Sequence, residues 1–582
     1  MKQNNGVADR SGWLCWRRWL KIALCTFAIA AMAIGGGSNQ SALAQNVNPL
    51  SYANRNEVNT SDWYDPPKFQ SQDGELNVTL TVGERNYQAF AGTSNLVLRS
   101  YKGECNGNCS GSDDVEGAVG PTLRVKAGDV LKVHLVNNLT ELDHANCEDG
   151  ATHENKLHCF DYTNLHTHGL HISPEGNSDN VLVNIPPRES HKFELQIPGK
   201  AHNLQDHYPG TFWYHAHRHG STTVQLASGM AGALIVEDPA DVPKSITDAR
   251  ERIFVFQQLA FDARGKVQER DNNMVETLFD NFNGKGDEAG PRKYTTINGR
   301  QVPVINMQPA EVERWRFIDA GIFELLDIKL LDDSNKQEVA DFFYTIALDG
   351  IYLKNVRKVK DIKMAPGYRV DAMVKAPAAG TYWLFKKRTT FLPSANTPPN
   401  PREQILAKVV VAGKDCEGNC HSDLPTNDDL NDLPRPKDLM NVSTTVSDEE
   451  VEFSFGDNSD QFLINDKQYD PKTVQFCLQK DAVQDWKLTS MAGQHPFHIH
   501  VNAFQIIDPG NSQDLNKGDW RDTIVVPAKS VGNGKPIIIR TKYENFTGHF
   551  VLHCHILHHE DQGMMSLVQI KDANTCAPPN GS

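Results

Sequence analysis

The sequence predicts an all-β fold made of three β-sandwiches of Greek-key type. Segments of alternating residues bounded by Gly, Pro and Asn recur along the chain, as at residues 76–82 and 130–136, and this pattern is typical of sandwich strands. Long helical periodicity is absent from the same region. The length of 582 residues suits three or four domains rather than one.

Breaks in composition divide the chain into six parts. These are a predicted export signal at 1–44, an irregular segment at 45–70, sandwiches at 71–240, 241–413 and 451–582, and a polar, Asp-rich linker at 414–450. The middle sandwich carries none of the metal-ligand motifs described below. We therefore expect it to act as a spacer that fixes the outer two sandwiches relative to each other.

The N-terminus has the features of an export signal. Arg17, Arg18 and Lys21 precede an apolar run at 22–34 that is too short to anchor the chain in a membrane, and Ala42-Leu43-Ala44 is a small-residue cleavage site. The adjacent arginines suggest the twin-arginine route, whereas Lys21 stands where that signal has an apolar residue, so the general secretory route also fits. We expect a mature protein that is soluble and periplasmic or secreted, with no membrane segment.

The charge of the chain limits its partners. The formal net charge is −15, and removal of residues 1–44 leaves 53 basic and 72 acidic residues, or −19. An acidic body argues against nucleic acids and anionic membranes as partners. We expect a monomer.

The cysteines predict disulfide bonds. Two of the eleven cysteines lie in the export signal, and Cys554 belongs to the motif described next. An even number of remaining cysteines in an exported chain indicates disulfides. These eight are Cys105, Cys109, Cys147, Cys159, Cys416, Cys420, Cys477 and Cys576. Two Cys-x3-Cys segments are candidate bridged turns, and Cys147 with Cys159 and Cys477 with Cys576 are further candidate pairs. The sequence does not fix the connectivity, and a metal site at the Cys-x3-Cys segments is the alternative.

The most informative stretch is 553–565, near the C-terminus. Successive side chains on a β-strand point to opposite faces, so His553 and His555 would face one way and Cys554 the other. His559 follows the cysteine by five residues and Met564 by ten. A Cys, two His and a distant, weak Met are the ligands of a blue-copper electron-transfer site. One strand can thus serve two metal sites.

The second histidine of such a site can come from His495, at the start of another strand-like segment. Four His-x-His pairs accompany it: His166 with His168, His215 with His217, His498 with His500, and His553 with His555. This spacing puts two rings on one side of a strand, about 7 Å apart. A single pair often marks only a polar strand face. Eight imidazoles are too many for one ion and suit a cluster of three.

With these motifs the chain resembles the three-domain multicopper oxidases (laccases, bilirubin oxidases, ferroxidases and cuprous oxidases) over residues 70–572. The resemblance implies cupredoxin-like sandwiches and four copper ions. It assigns the blue, or type 1, copper to His495, Cys554, His559 and Met564, and the type 2 copper to His166 and His498. It assigns the two type 3 ions to His168, His215, His217, His500, His553 and His555, without fixing the division between them.

The resemblance also implies a reaction. One-electron oxidation of a donor at the type 1 copper would be coupled to four-electron reduction of O2 to water at the trinuclear cluster. Asp179 and Glu560 resemble carboxylates that relay protons in similar bacterial enzymes. A turn-capping role for Asp179 and a solvated charge for Glu560 are the alternatives. We expect electrons to enter through an exposed edge of His495 or His559.

The donor is predicted from what the sequence lacks. Only Met440 and Met491 lie between the middle of the linker and the third histidine motif, so there is no Met-rich channel for Cu(I). This favours a laccase-like enzyme acting on phenols or other small organic donors, with O2 as acceptor. The alternatives are a metal-ion oxidase for Cu(I) or Fe(II), a bilirubin oxidase-like enzyme, and a copper-binding protein without turnover. A nitrite reductase fits less well, because that family has two cupredoxin domains per chain.

Overall fold

The computed structural model describes residues 55–572 with several gaps. The gaps are residues 57, 88–95, 108, 111–117, 141–146, 148–154, 262–291, 388–402, 417–419, 457–460 and 532–533. The predicted export signal and Cys576 lie outside the described residues. Within them, no helix has the length and apolar character needed to cross a membrane.

The first sandwich consists of ten strands. They are β2 (Lys68–Ser71), β3 (Glu75–Tyr87), β4 (Leu96–Cys105), β5 (Cys109–Ser110), β6 (Thr122–Val125), β7 (Val130–Asn137), β8 (His166–His168), β9 (Ser190–Gln196), β10 (Gly210–His215) and β11 (Ala231–Val236). They form two sheets, in the orders β5-β2-β6-β11-β10-β8 and β4-β3-β7-β9. In β3, Leu76, Val78, Leu80 and Val82 are buried and alternate with half-exposed residues, because one face of the sheet packs on the core.

The middle sandwich consists of two six-stranded sheets. Its strands are β1 (Ser61–Asp62), β12 (Arg250–Phe261), β13 (Arg292–Ile297), β14 (Pro303–Met307), β15 (Val312–Asp319), β16 (Leu326–Asp332), β17 (Phe343–Leu348), β18 (Ile351–Val359), β19 (Ile362–Met364), β20 (Arg369–Lys375), β21 (Gly380–Lys386) and β22 (Gln404–Val411). The sheet orders are β1-β14-β22-β21-β16-β19 and β13-β12-β15-β20-β17-β18. Strand β1 comes from the segment predicted to be irregular, and β2 begins at its end. Strands of two to four residues are too short to show an alternating pattern.

The third sandwich consists of a six-stranded and a five-stranded sheet. Its strands are β23 (Glu449–Phe455), β24 (Phe462–Ile464), β25 (Val474–Gln479), β26 (Val483–Ser490), β27 (His495–Ile499), β28 (Phe504–Asp508), β29 (Trp520–Arg521), β30 (Thr523–Val526), β31 (Ile537–Lys542), β32 (Gly548–Cys554) and β33 (Met565–Lys571). The sheet orders are β24-β23-β26-β31-β28-β29 and β25-β33-β32-β27-β30. The prediction of three β-sandwiches is confirmed.

Short helices connect the strands. They are a 3-10 turn at Lys200–His202 and α-helices at Thr222–Ser228, Lys244–Thr247, Asn427–Asn431 and Leu557–Asp561. The helix Asn427–Asn431 lies in the predicted linker and begins with a capping box of Thr426 and Asp429. Its Leu430 is fully buried in a cluster with Val242 and Val312, so this part of the linker packs on the middle sandwich.

Strand register brings the histidine motifs together. In the first sandwich β8 pairs with β10, so that His166 lies opposite His215. In the third, β27 pairs with β32, so that His498 lies opposite His553 and Phe497 lies opposite Cys554. Because neighbouring residues on a strand face opposite ways, this register separates the Cys554 side chain from the histidines on either side of it.

Candidate metal centres

Three side chains of the third sandwich converge on one point. The Cys554 Sγ atom lies 3.4 Å from His495 Nδ1 and 3.8 Å from His559 Nδ1, and these two nitrogens are 3.3 Å apart. All three residues are buried. His495 Nε2 donates to the Ala492 carbonyl at 3.0 Å, which leaves Nδ1 unprotonated and able to bind a metal. One thiol and two imidazoles fit copper.

Met564 lies beside this site. Its side chain is fully buried, its N–H donates to the His559 carbonyl at 2.8 Å, and its carbonyl accepts from the Cys554 N–H at 3.0 Å. The backbone therefore ties Met564 to two of the three converging residues. Burial raises the pKa of the Cys554 thiol well above its usual range, so the cysteine is protonated until a metal ion binds.

The expected exposed edge of His495 is wrong. His495 is fully buried and His559 is only 8% exposed. The Phe453 ring stacks near His495, with centroids 5.2 Å apart, and the Phe462 ring stacks on His559 at 4.1 Å. The exposed residue next to this imidazole is Ala492, whose carbonyl accepts from His495 Nε2. The path of the chain before His495 is not encoded in motif spacing.

The eight paired histidines form a second cluster where the first and third sandwiches meet. All eight are at most 2% exposed. The His166 ring stacks on His500 with centroids 3.9 Å apart, and the His168 ring stacks on His498 at 3.8 Å. His217 Nε2 lies 3.2 Å from His553 Nε2. Each predicted pair therefore contributes to one cluster.

The nitrogens of this cluster fit metal ions. The buried ring nitrogens without a hydrogen-bond partner are His166 Nε2, His168 Nδ1, His215 Nε2, His498 Nε2, His500 Nε2 and both nitrogens of His555. A buried polar atom without a partner is costly, and a coordinated metal ion would remove that cost. Burial lowers the pKa of His166, and nearby histidines lower it further, which keeps the ring in the neutral form that binds metals.

Oxygen atoms hold the outer nitrogen of several of the clustered rings. His215 Nδ1 lies 2.9 Å from the Ala216 carbonyl, and His498 Nδ1 lies 2.9 Å from the Asp522 carbonyl. His553 Nδ1 lies 3.1 Å from the Cys554 carbonyl. Such contacts fix which nitrogen carries the proton and how the ring is oriented.

Asp179 is the oxygen partner of the His166 ring. Its Oδ2 atom lies 2.9 Å from His166 Nδ1, and its Oδ1 atom accepts from the Thr167 N–H at 2.9 Å. The carboxyl group is buried, and burial raises its pKa to about 7. Asp179 is therefore more than a turn-capping residue.

Glu560 lies on the other side of the cluster and is fully buried, so it is not a solvated charge. Its Oε2 atom lies 3.0 Å from His553 Nδ1, and its Oε1 atom lies 3.5 Å from His217 Nδ1. Burial raises the pKa of Glu560 to about 7, against the opposing effect of His217. Both predicted carboxyl groups thus lie next to histidines of the cluster.

The middle sandwich also reaches the cluster, which sequence reasoning missed. Gly367 has φ +91°, and a Cβ atom there would lie 2.9 Å from His555 Cδ2 and 3.1 Å from His168 Cε1. Asp522 Oδ1 lies 3.4 Å from His168 Nε2, and Arg369 pairs with Asp522. No His or Cys spacing marks these three positions. The only sequence signal nearby is the glycine of His166-Thr167-His168-Gly169, whose role is described below.

The predicted disulfide framework is found in part. Cys147 bonds to Cys159 and Cys416 bonds to Cys420, as two of the candidate pairs required. Cys105 and Cys477 are also disulfide-bonded. Cys554 is the free cysteine of the part of the chain that the structure describes.

Comparison with known proteins places this geometry in a family. The multicopper oxidase of Staphylococcus haemolyticus named mco is 25% identical over 528 residues, which cover 86% of this chain and 94% of that protein. The iron transport multicopper oxidase FET3 of Candida albicans is 23% identical over 502 residues, covering 78% of this chain and 71% of that protein.

Solved structures share the fold. A multicopper oxidase from Campylobacter jejuni, described as a metallo-oxidase, aligns with a TM-score of 0.66 and 22% identity, covering 89% of this chain and 97% of that one. A laccase from Pediococcus acidilactici aligns with a TM-score of 0.63 and 20% identity, covering 88% and 94%.

Family models described as multicopper oxidase match residues 151–241, 262–403 and 433–574, which together are more than half of the chain. These ranges contain all eight clustered histidines and the Cys554 site. The chain belongs to the multicopper oxidase family, whose members are copper-dependent oxidoreductases that use O2 as the electron acceptor.

Proposed function

We propose that the protein is a laccase-like oxidase that couples one-electron oxidation of organic donors to four-electron reduction of O2 to water. The observation that carries this proposal is the position of Cys554. Its thiol belongs to one candidate metal site, while its neighbour His553 belongs to the other and its neighbour His555 lies in the same histidine cluster, with ring centroids 5.0 Å from His168 and 5.4 Å from His553. A donor-oxidising site is thus joined through a single tripeptide to a site with enough ligands for several ions.

The proposed ligands follow the two clusters. His495, Cys554, His559 and Met564 would hold the type 1 copper, and His166 and His498 would hold the type 2 copper. His217, His500 and His553 have donor atoms within 4.8 Å of one another and would hold one type 3 ion. His168, His215 and His555 remain for the other, which gives four ions in total. When bound, copper would supply the one-electron redox chemistry at both sites.

The protein provides the electron path and keeps water away from it. Cys554 is bonded through its own backbone to His553 and His555, so no through-space gap separates the thiolate from either histidine. Phe453 and Phe462 cover the rings of the type 1 histidines. The hydrogen bond from His495 Nε2 to the Ala492 carbonyl offers a route from the surface to the buried imidazole.

The protons for water formation are proposed to come through Asp179 and Glu560. Each carboxyl group is buried and lies about 3 Å from the outer nitrogen of a clustered histidine, as expected for positioned acids. Asp179 Oδ2 faces Nδ1 of His166, and Glu560 Oε2 faces Nδ1 of His553, so each carboxyl group can exchange protons beside the cluster. The two groups lie against different histidines and can serve different sides of the cluster.

Small organic donors such as phenols are the proposed substrates. Outer-sphere electron transfer requires the donor to contact the peptide over His495 and to have a favourable reduction potential. It does not require a shaped pocket. A metal-ion oxidase is the second candidate, because Met491 exposes 52% of its surface one residue before Ala492 and presents a thioether there. A single thioether is a poor Cu(I) site compared with a cluster of them, which favours the organic donor.

The type 1 assignment is tested by Cys554→Ser. Copper-loaded wild-type protein should show an intense blue absorption from thiolate-to-copper charge transfer, and the variant should lose both the colour and oxidase activity. Metal analysis should still find copper at the histidine cluster, since serine leaves those residues in place. A variant that stays blue would rule out Cys554 as the ligand.

The donor is tested by oxygen consumption in fully copper-loaded protein. We expect a substituted phenol to sustain turnover without added metal, and Met491→Leu to leave its specificity constant unchanged. Cu(I) and Fe(II) measured in the same protein provide the comparison. A Cu(I) or Fe(II) specificity constant far above that of the phenol, and lowered by Met491→Leu, would replace this proposal with the metal-ion oxidase.

We also propose that residues 1–44 direct export to the periplasm or medium and that the mature chain is a monomer. The disulfides Cys147–Cys159 and Cys416–Cys420 support export, because such bonds persist in oxidising compartments. Fractionation of cells with and without residues 1–44 tests the route. Sedimentation of the mature chain tests the monomer, and a dimer mass would reject it.

A further inference from the structure

We propose that Arg369, in the middle sandwich, is a positioning residue for the histidine cluster. It fixes Asp522, whose carboxylate lies against the type 3 ligand His168 and whose carbonyl lies against the type 2 ligand His498. The inference rests on the proposed ligand assignment and extends it to a domain that contributes no ligand. Four observations support it. They are the hydrogen bonds of Arg369, the contacts of Asp522 with two histidines, the hydrogen bonds of Asp349 to the Asp522 backbone, and the absence of a side chain at Gly169.

Arg369 is fully buried, and all of its side-chain donors are used. Both terminal nitrogens donate to Asp522, with Nη1 to Oδ1 at 2.8 Å and Nη2 to Oδ2. The other donations go to backbone carbonyls: Nε to Thr211 at 3.2 Å, Nη1 to Gly367 at 3.0 Å and Nη2 to Asp349 at 3.0 Å. A planar guanidinium in this bidentate arrangement fixes the carboxylate plane, which a lysine cannot do.

Asp522 and the next residue contact a histidine from each outer sandwich. Asp522 Oδ1 lies 3.4 Å from His168 Nε2, and the Asp522 carbonyl lies 2.9 Å from His498 Nδ1. The Thr523 hydroxyl donates to Asp522 Oδ1 at 2.8 Å and lies 3.2 Å from His168 Nε2. The orientation of both rings therefore depends on where Asp522 is held.

A second middle-sandwich residue, Asp349, holds the backbone of the same segment. Its Oδ2 atom accepts from the N–H groups of Asp522 and Thr523 at 3.2 and 3.3 Å, and from Arg521 Nε at 2.7 Å. Its Oδ1 atom accepts from the Arg369 N–H at 3.1 Å. The middle sandwich thus fixes both the side chain and the main chain of Asp522.

Gly169 makes room for this ion pair. It has φ +91°, and a Cβ atom there would lie 2.2 Å from Arg369 Nη2 and 2.6 Å from Asp522 Oδ2. The glycine after His168 is thus required because the Arg369–Asp522 pair occupies the space that a side chain would fill. The ion pair and the histidine motif are packed as one unit.

Arg316 offers a matched control. It is also a buried middle-sandwich arginine, 1% exposed, and it donates from Nη1 to the Thr211 hydroxyl at 2.9 Å, whereas Arg369 donates to the Thr211 carbonyl. Its carboxylate partners are Asp371, Glu251 and Asp238, and none of its contacts among the described residues is with a histidine. If Arg369 served only to dock the sandwiches, replacement of Arg369 or of Arg316 would change the affinity for the type 2 copper equally.

The experiment measures the affinity of the type 2 copper by chelator competition. The type 2 signal is followed by electron paramagnetic resonance, and the blue absorption is the internal standard. We expect Arg369→Gln and Asp522→Asn each to weaken type 2 binding by about 10- to 100-fold, the range for lost outer partners of metal ligands. Both should alter the type 2 hyperfine pattern. Arg369→Lys should have an intermediate effect, and Arg316→Gln should match wild type.

Wild-type affinity and an unchanged type 2 spectrum in Arg369→Gln and Asp522→Asn would overturn the inference. An equal loss in Arg316→Gln would also overturn it, by showing a general docking effect. If Arg369→Gln does not fold, the same criteria apply to Asp522→Asn, which preserves the side-chain shape, and to Arg369→Lys. A wild-type protein that binds blue copper but shows no type 2 signal would overturn the proposed function of the cluster, and this inference with it.

Discussion

The side chain of Cys554 belongs to one candidate site, and the side chains of its neighbours His553 and His555 belong to the other. Because side chains alternate along an extended chain, this division needs only the sequence His-Cys-His at the end of β32, where His553 and Cys554 close the strand and His555 follows it. Met564 is different, since it lies ten residues further on and reaches the site through backbone hydrogen bonds to His559 and Cys554. Its sulfur can adjust the reduction potential of the site, and its replacement leaves the thiol and the two imidazoles in place.

Met564→Leu should raise the reduction potential of the blue copper. A thioether donates electron density that stabilises the oxidised ion, and leucine keeps the volume while removing that donor. Redox titration of the blue absorption measures the change. Met565→Leu is the control, because Met565 is also buried but follows the proposed ligand. A potential that moves in Met565→Leu and not in Met564→Leu would give the axial role to the neighbour.

Asp179→Asn and Glu560→Gln should slow reoxidation of the reduced enzyme by O2. Each change keeps the side-chain shape and removes the acid, so a loss of about 10²-fold or more is expected from a positioned proton donor. Reduction of the blue copper should stay near wild type, since neither residue is a proposed ligand of that copper. Stopped-flow traces separate the two steps, and slow reduction with normal reoxidation would remove both residues from the relay.

At the scale of elements, the helix Leu557–Asp561 joins the third sandwich to the first. Its last residue, Asp561, is fully buried and accepts from the Gly220 N–H at 2.7 Å and the Thr223 N–H at 2.8 Å. The Thr223 hydroxyl donates to the same carboxylate at 2.6 Å. Asp561 thereby satisfies donors at the start of the helix Thr222–Ser228, which follows the second histidine pair.

Asp561→Ala should destabilise the metal-free protein more than the loss of an ordinary helix cap. It leaves several buried donors without a partner, at about 1–3 kcal/mol for each group. Thr426→Ala, which removes the exposed cap of the helix Asn427–Asn431, should cost about 1 kcal/mol. Denaturant unfolding of the two variants makes the comparison. Equal losses of unfolding free energy would show that the contact of Asp561 between the two sandwiches contributes no more than an ordinary helix cap.

The sequence predicted the elements that carry ligands better than those that surround them. His-x-His spacing determines which rings share a strand face, so the eight imidazoles could be identified without knowledge of the docking. Arg369, Asp522 and Gly367 belong to the centre only because three sandwiches meet there, and no local pattern encodes that meeting. The cover over His495 depends on the path of residues 491–493, which motif spacing likewise does not determine.

For the whole molecule, the disulfides should stabilise according to the loops that they close. Cys147 and Cys159 are 12 residues apart, and Cys416 and Cys420 are 4 apart. In the chain-entropy model the longer loop gives about 1 kcal/mol more stabilisation. Replacing each pair by serines and comparing the unfolding free energies tests this. A larger loss from the shorter pair would show that packing around the bonds outweighs chain entropy.

The proposed ligands of the histidine cluster come from the first and third sandwiches, and the arginine of the ion pair beside the cluster comes from the middle one. A ligand that binds only the folded arrangement stabilises it by an amount that grows with the logarithm of its free concentration. Copper bound in this cluster would therefore stabilise the docking of all three sandwiches. Removal of copper by a chelator would destabilise all three together. The supply of copper would then set the unfolding free energy of the protein as well as its oxidase activity, so a shortage of copper should lower both.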